Sequence, residues 1–527
     1  MKAIDRLAVI RHKSILNKNW RHKDLFRILR KNDIWITAYK TIKINNGSMN
    51  VRTTKGTLDE ISIKRLVILQ NKVLDESYQF NSVNEFEISK SNTGKSLVRL
   101  SIADDKIVQE VIRMVLEAIY EPCFSKQNFG LGQEFGIHDT LEYIESKFYK
   151  INWVLESCIE DPYSTIDHRQ LCNILEKKIQ DVRFMNLIRR LLKCGAFHQG
   201  QFTRSSLGIP QGNIVLPIFT NIYFNELDKW VKNKVNILHQ SITSRSKKEY
   251  SQRSYQIAKK TEQMRKLGEK LNEYQIPSEE LKDLKIESVK FSNSAQQQIQ
   301  IEYVRYAGDW MIGIKGDETL AKKLKLEVYH FLIANLKQTI NPTKIKIINL
   351  SSGKAKFLQY EIYLAREYKI CMAHNQTIRD NKFVTKLNPK LKFDIPMDSI
   401  LQNMEKRGYI KKLVKGYRPI SKANYTVLED IIIVKHFAHV WKGLANYYSG
   451  CTNFSKLQYI QSLLHISCAM TLSHRHRSST KKVFKKFGKE IKLSSGNIFT
   501  YFPYTTNNSK LKRNWQKKKF FTTRFFD

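Results

Sequence analysis

Apolar residues recur at helical spacing along the stretch that begins at Ile107. Each turn of a helix would place one or two of them on the same face, and Pro122 follows where the pattern stops. Because proline cannot continue a helix, the pattern predicts an amphipathic helix that ends before Pro122 and buries one face. The apolar positions are Val108, Val111, Ile112, Val115, Leu116 and Ile119.

Two shorter apolar patterns predict strands. Residues 153–155 form a candidate buried strand, and residues 303–314 predict a hairpin that turns at Ala307-Gly308-Asp309. Between these patterns, at about 240–295, lies a stretch rich in Lys, Glu, Gln and Ser, whose apolar face is thin. Such a segment cannot bury much surface, so it is predicted to be a surface insertion.

Helical spacing returns towards the C-terminus, at 427–448, 456–472 and 481–490. The segment from Pro389 to Pro396 is predicted to be a linker, and the tail from Ser494 is polar, basic and aromatic. The predicted division is an N-terminal region at 1–90, a region of helices and strands at 91–375, a linker region at 376–425, a helical domain at 426–490, and a basic tail at 491–527.

Positive charge narrows the choice of partner. The chain has 527 residues, with 90 Lys and Arg against 49 Asp and Glu, a formal net charge of +41. Solubility of a small domain needs a net charge of only about 2–8, so the excess indicates a polyanionic partner that releases counterions on binding.

No apolar run approaches the roughly 20 residues of a membrane span. Seven scattered cysteines without a Cys-x-x-Cys pair predict a reducing compartment and no zinc module.

Several motifs occur in one order along the chain and together resemble one family. They are Gly208-Ile209-Pro210-Gln211-Gly212, Asn221-Ile222-Tyr223, residues 303–313, residues 354–360, residues 442–448 and residues 482–488. Over roughly residues 20–490 the chain resembles the group II intron-encoded reverse transcriptase/maturase family, and the segment between Gly212 and Tyr306 resembles its mitochondrial-type lineage. The resemblance implies an α+β right-hand fold, with fingers and an antiparallel palm sheet followed by a helical thumb and domain X. It places the start of the fingers in 1–90, the fingers and palm at 91–375, the start of the thumb in 376–425 and domain X at 426–490.

The resemblance also implies where polymerase chemistry would occur. Nucleotide addition uses two divalent metals about 3.5–4 Å apart, and the family holds them with one palm-strand aspartate and two hairpin aspartates. Here Cys158 stands at the strand position and Gly308 at one hairpin position, so only Asp309 remains. A thiol is a poor ligand for Mg²⁺. Glu156 and Glu160 are the neighbouring acids, about 6–7 Å along the strand.

We therefore expect a chain that is not an enzyme and has no cofactor and no resident metal. The fingers agree with this expectation, because Gly132 and Phe135 occupy positions where the family has arginines. No cysteine follows Cys468, so we also expect no HNH-type nuclease domain and no DNA target cleavage.

Candidate RNA-binding residues cluster near the C-terminus. Lysines surround the apolar face of the predicted helix at 481–490, two arginines precede it, and a lysine and two tyrosines lie in the domain X motif. The tyrosines could stack on bases or pack in the core, and the two interpretations are equally open. The candidates are Lys442, Tyr447, Tyr448, Arg475, Arg477, Lys481, Lys482, Lys485, Lys486 and Lys489.

The expected function is that of an organellar maturase that binds group II intron RNA, its host intron or a related one, and assists folding and splicing. A mitochondrion is the first expectation and a plastid the alternative. The competing interpretations are an active RNA-directed DNA polymerase with atypical metal ligands, and a decaying reading frame without a function. Oligomeric state stays open.

Overall fold

The fold is described in a computed structural model. It covers residues 2–44, 61–81, 83–90, 94–100, 102–130, 136–158, 163–198, 201–203, 206–209, 213–238, 259, 300–338, 340–365, 368–372, 382–386, 390–495 and 498–504. Most of the predicted insertion at 240–295, the finger positions 132 and 135, Glu160 and the tail beyond 504 lie outside these residues.

Helices make up most of the N-terminal part and nearly all of the C-terminal core. The predicted helix after Ile107 is confirmed, and Pro122 lies in a short 3₁₀ turn directly after it. The helices are α1 (Ala3–Leu16), α2 (Asn32–Ile44), α3 (Ile63–Leu74), α4 (Ala103–Tyr120), α5 (Ile137–Lys147), α6 (His168–Glu176), α7 (Val182–Leu192), α8 (216–238), α9 (Glu318–Ala334), α10 (Met397–Lys406), α11 (Asp430–Tyr447), α12 (Phe454–Arg475) and α13 (Thr480–Phe487).

The strands form several small sheets. They are β1 (Val83–Lys90), β2 (Gly94–Leu100), β3 (Trp153–Cys158), β4 (Ala196–His198), β5 (Gln201–Thr203), β6 (Gln300–Tyr306), β7 (Asp309–Lys315), β8 (Lys346–Asn349), β9 (Ala355–Phe357), β10 (Tyr360–Ala365), β11 (Tyr368–Met372), β12 (Lys382–Lys386), β13 (Lys390–Asp394), β14 (Ile410–Lys412), β15 (Tyr417–Pro419), β16 (Leu493–Ser495) and β17 (Ile498–Thr500).

The central sheet runs in the order β6-β7-β3-β8, and all of its pairs are antiparallel. We call it the palm sheet. The predicted strand at 153–155 and the hairpin at 303–314 are both in it. The predicted α+β class, with an antiparallel palm sheet followed by helices, is confirmed.

Side-chain alternation gives the palm sheet two buried faces. Leu155 and Ile312 belong to a core shared with the N-terminal helices and α8, whereas Val154 and Met311 belong to a second core. That second core continues through β10 and β13 into α11, α12 and α13. Since successive residues of a strand point to opposite sides, one sheet joins the two halves of the molecule.

The predicted linker between Pro389 and Pro396 is wrong. Residues Lys390–Asp394 form β13, which pairs antiparallel with β10, and Leu391 and Phe393 are buried. The Leu-x-Phe alternation was visible, but the prolines on either side favoured a linker. The helical C-terminal region also contains two short hairpins, β14–β15 and β16–β17, that the patterns did not predict.

A fully buried ion pair fixes β6 to α8. Arg305 Nε donates to Asp228 Oδ1 at 2.7 Å and Nη2 donates to Oδ2 at 2.6 Å, and neither side chain is exposed. Tyr303 Oη donates to the same carboxylate at 2.8 Å, and Arg305 Nη1 donates to Asn221 Oδ1 at 3.0 Å. Asn128 donates to that amide oxygen as well. The network ties β6, α8 and the segment after α4 together.

Arg305→Met should reduce the free energy of unfolding by about 3–5 kcal/mol, because it leaves Asp228 charged, buried and uncompensated. Chemical denaturation monitored by circular dichroism measures the loss. Lys322→Met is the matched control, since the Lys322–Glu318 pair is largely exposed and should be worth about 0–1 kcal/mol. Equal losses in the two variants would contradict a structural role for the buried pair.

Candidate functional site

The palm hairpin turns at Ala307 and Gly308, between Tyr306 and Asp309, which pair across the two strands. Ala307 adopts a left-handed backbone with φ of 53°. Gly308 is buried and Asp309 is half-buried at the start of β7. The hairpin therefore presents a single carboxylate where the family resemblance calls for two.

A segment after α4 packs directly against this turn. The Phe129 N–H donates to the Arg305 carbonyl at 2.9 Å, and the Arg305 N–H donates to the Gln127 carbonyl at 2.9 Å. A Cβ added to Gly130 would lie 2.1 Å from the Ala307 nitrogen, so a side chain there would collide with backbone. Glycine at this position lets the finger segment approach the hairpin this closely.

The third carboxylate position lies opposite the hairpin. In β3, Cys158 pairs with Asp309, so the position expected to hold the strand aspartate is directly across from the remaining acid. Glu156 lies two residues back, is buried, and accepts a hydrogen bond from the Lys356 N–H. Burial raises the pKa of Glu156, while the Lys356 N–H and the Lys346 charge act against that rise. Its carboxylate therefore holds β9 against β3.

These residues do not fit a pair of magnesium ions. Mg²⁺ needs hard oxygen ligands in near-octahedral geometry, and the position opposite Asp309 has a thiol residue. Among the residues that the structure describes, no group of three or more His, Cys, Asp or Glu side chains could hold a metal.

The end of α11 covers the hairpin. Tyr447 Oη donates to the Leu358 carbonyl at 2.9 Å, and the Tyr447 carbonyl lies 2.9 Å from His138 Nε2 and accepts from Tyr360 Oη. Burial, followed by the charges of Tyr306 and Asp309, raises the pKa of the Tyr447 hydroxyl. The C-terminal helices are thus fastened to α5, to the β9–β10 turn and to the neighbourhood of Asp309.

Burial contradicts base stacking by Tyr448, whereas base stacking by the half-buried Tyr447 stays a prediction. Tyr448 is fully buried, with its ring centroid 5.2 Å from that of Tyr360, and Tyr447 stacks on Tyr360 at 6.0 Å. Both rings pack in the second core. A run of Leu, Ala, Asn and two tyrosines at the end of a helix fits either role, so only tertiary packing distinguishes them.

The predicted lysine-rich helix is confirmed as α13. Val483 is buried, and Phe484 and Phe487 pack against the second core. Within the part of the chain that the structure describes, none of the five lysines forms an ion pair. All five are exposed: Lys481, Lys482, Lys485, Lys486 and Lys489.

The other candidate RNA-binding side chains differ in exposure and in the contacts they make within the protein. Arg477 is exposed. Arg475 forms an ion pair with Asp430 at 2.9 Å, and it donates from Nη1 to the Thr426 carbonyl at 2.8 Å. Lys442 is exposed, with Nζ 5.7 Å from the Tyr501 ring. The Arg475 guanidinium thus braces the C-terminal end of α12 against the start of α11, and RNA binding by Arg475 stays a prediction.

Two family models match consecutive parts of the chain. The model described as MatK/TrnK N-terminal matches residues 9–359, and the model described as Type II intron maturase matches residues 388–525. The first alone covers more than half of the chain. The chain belongs to the group II intron maturase family.

Several relatives match the chain over nine-tenths of its length or more. Group II intron-encoded protein LtrA of Lactococcus lactis subsp. cremoris is 29% identical over 93% of this chain and 80% of its own. Putative COX1/OXI3 intron 1 protein of Saccharomyces cerevisiae is 27% identical over 93% of this chain and 58% of its own. Maturase K of Calocedrus decurrens is 26% identical over 90% of this chain and 88% of its own.

Two solved structures align with part of the maturase. A chain of a partial Cas6-RT-Cas1–Cas2 complex matches with a TM-score of 0.29 and 15% identity, over 61% of this chain and 48% of that chain. Apo telomerase from Candida tropicalis, truncated from its C-terminal domain, matches with a TM-score of 0.32 and 12% identity, over 57% and 59%. No helix in the described residues of the maturase is long and apolar enough to cross a membrane.

Tyr448→Ala should lower the free energy of unfolding by about 3–5 kcal/mol, because it empties a filled site in the core. Tyr149→Ala, at a ring that is 46% exposed, is the matched control and should cost about 1 kcal/mol or less. Thermal and chemical denaturation compare the two variants. A small loss in the Tyr448 variant would restore the possibility that this ring faces RNA.

Proposed function

We propose that the maturase binds group II intron RNA, the host intron first, and assists its folding for splicing without copying RNA into DNA. The observation that carries the proposal is the contrast between two surfaces of the same protein. The palm hairpin has one carboxylate and a thiol residue opposite it, whereas α13 and Lys489 just after it present five exposed lysines without an ion pair among the described residues.

Splicing assistance requires no catalytic group from the protein. The intron supplies the chemistry, and the protein lowers the electrostatic repulsion that opposes RNA compaction. Lysines held on a short, well-packed helix are suited to this task, because they contact phosphates without losing a competing ion pair. The names of the relatives, which include intron-encoded proteins and maturases, support the same function.

An organelle is the proposed location, and the mitochondrion is the first choice. Abundant Lys, Asn and Ile suit an AT-rich organellar genome. Relatives named for COX1 introns and for a cob intron support the choice. The plastid is the alternative.

The fastening of α11 to the palm supports the non-copying part of the proposal. Tyr447 connects the helical domain to the turn between β9 and β10, beside the hairpin that carries Asp309. A template and primer would have to occupy the space in front of that hairpin. With Gly130 packed on the turn and Tyr447 bonded to Leu358, fixed protein groups border the space on both sides.

Replacing Lys482, Lys485 and Lys486 by Gln should weaken intron RNA binding and lower the slope of log K against log salt by about 2–3, because each lost phosphate contact removes about one released ion. Titrations of labelled intron RNA at several salt concentrations measure the slope. Lys322, Lys323 and Lys337 replaced by Gln form the matched control.

The same variants test function directly in splicing of the host intron. Loss of the protein should leave that intron unspliced, and the α13 variant should splice more slowly than the α9-side control. Normal splicing without the protein would contradict the proposal.

Primer extension with the purified maturase should yield no cDNA in Mg²⁺ or in Mn²⁺, because one carboxylate cannot hold two ions. Asp309→Ala is the control and should match the unmodified protein. Extension that disappears in the Asp309→Ala variant would instead establish an active polymerase with atypical ligands.

A further inference from the structure

A second basic element lies on the far side of α12 from the α13 lysines. Residues 406–428 contain seven Lys or Arg and no Asp or Glu, and residues 474–489 likewise contain seven and none. The first stretch includes the β14–β15 hairpin, and the second includes α13. Two stretches of the chain, each with seven basic and no acidic residues, therefore border the same long helix, α12.

The β14–β15 hairpin is held rigidly at its base and exposed at its tip. Tyr409 and Ile410 are buried, the Ile420 N–H donates to the Tyr409 carbonyl, and the Lys412 N–H donates to Glu405 Oε1 at 2.9 Å. Lys422 Nζ lies 4.1 Å from the centre of the Tyr409 ring. A hairpin with a fixed base can present its tip in one orientation.

Nothing in the described chain covers the tip. Val414 is fully exposed and Leu413 is 43% exposed, and the lysines and arginine beside them form no ion pair within the described residues. The basic positions of this wall are Lys411, Lys412, Lys415 and Arg418.

Contacts along α12 place the two basic elements on opposite faces. His465 packs on Phe484 of α13, with ring centroids 5.2 Å apart. Ser467 donates to the Ile420 carbonyl at 2.7 Å, and the Lys422 N–H donates to Thr471 Oγ1 at 3.0 Å. Since a helix turns about 100° per residue, Ser467 and Thr471 point about 200–240° away from His465.

The face of α12 between these two contacts is open and apolar. Tyr459 and Ile466 are each 40% exposed, and they lie about 100–120° round the helix from His465. One helix with its side chains is about 10–12 Å across, so the two basic walls stand roughly that far apart. The result is an apolar floor with a cationic wall on each side.

We propose that this open face of α12, bordered by the β14–β15 hairpin and by α13, is a cradle for double-helical RNA. Two walls about one helix diameter apart can contact the phosphates on both sides of the wide, shallow minor groove of an RNA helix. The apolar floor then faces the sugar edges, and the exposed tip of the hairpin reaches along the groove. A single strand would need only one basic track.

The cradle deepens the proposed function and rests on it, since it names the form of RNA that the C-terminal domain binds. It assigns a role to residues 410–419, which carry no part of the palm chemistry and lie outside α13. Charge selects nucleic acid over most protein partners, because residues 406–428 and 474–489 contain no Asp or Glu, and Asp430 pairs with Arg475 alone among their Lys and Arg side chains in the described residues. An acidic protein remains an outcome that the experiment can detect.

The test uses the full chain and two probes, an RNA duplex of two helical turns and a single strand of equal length. In the hairpin variant Lys411, Lys412 and Lys415 become Gln, and its control replaces Lys322, Lys323 and Lys337. The hairpin variant should bind the duplex about 10-fold or more weakly and lower the salt slope by about 2–3. The control should change neither quantity.

The floor has its own pair of variants. Ile466→Asp should weaken duplex binding at least as much as one lost lysine, through repulsion of phosphates. Ile333→Asp, at a position of α9 with nearly the same exposure (39% against 40%), should not. Denaturation midpoints confirm that both variants fold. Sedimentation reports whether either substitution changes a self-association or a protein complex instead.

The outcomes separate the two proposals. If the α13 variant loses intron binding and the hairpin variant keeps it, the cradle is overturned and the proposed function stands. If the hairpin variant loses single-strand and duplex binding equally, the double-helix assignment is overturned. If the unmodified maturase binds no intron RNA, both fail together.

Discussion

The bidentate pair between Arg305 and Asp228 is the constraint on which the rest of the molecule depends. It lies where β6 meets α8, and it holds the strand that leads into the hairpin. A buried ion pair is stable only when further hydrogen bonds satisfy the remaining polar atoms, and here Tyr303 and Asn221 supply them. Arg305 Nη1 also donates to the Ala307 carbonyl at 2.9 Å, so the pair sets the backbone at the turn itself. The hairpin therefore keeps its shape with a glycine at position 308 and a single carboxylate, that of Asp309.

This constraint explains how a binding surface and an altered palm can coexist. The palm sheet contributes one face to each of the two hydrophobic cores, and the second core supports α11, α12 and α13. Neither Cys158 nor Gly308 offers a carboxylate, and the strand pairing around both residues is intact. The lysines of α13 stay in place because Val483 and the two phenylalanines beside it anchor the helix. The residues at the metal-ligand positions and the residues that pack the two cores are therefore different residues of the same strands.

The spacing of nearby apolar residues predicts the long helices and the palm hairpin correctly. It does not predict a strand or a buried side chain whose packing partner is distant in the chain. The buried face of α4 is visible in six apolar positions at helical spacing, and the hairpin shows two apolar runs around a turn. The strand at 390–394 is short, lies between prolines, and is defined by pairing with β10, which spacing alone cannot reveal. Tyr447 and Tyr448 depend on Tyr360, almost ninety positions earlier. The signal for the β14–β15 hairpin was present in Gly416, which adopts a φ of 85°, and in the apolar pair beside it. The helical patterns on either side are stronger than this turn signal, so the sequence pattern alone does not predict the hairpin.

The shared second core limits which substitutions the protein can tolerate during evolution. Because α11 and the palm sheet bury each other, a substitution that loosens Met311 or Val154 also loosens the platform under the lysines. If the protein binds RNA without copying it, as proposed, selection for RNA binding alone would be sufficient to preserve the palm sheet. Positions that fill space in the second core would then stay constrained, whereas positions that offer only a metal ligand would be free to change.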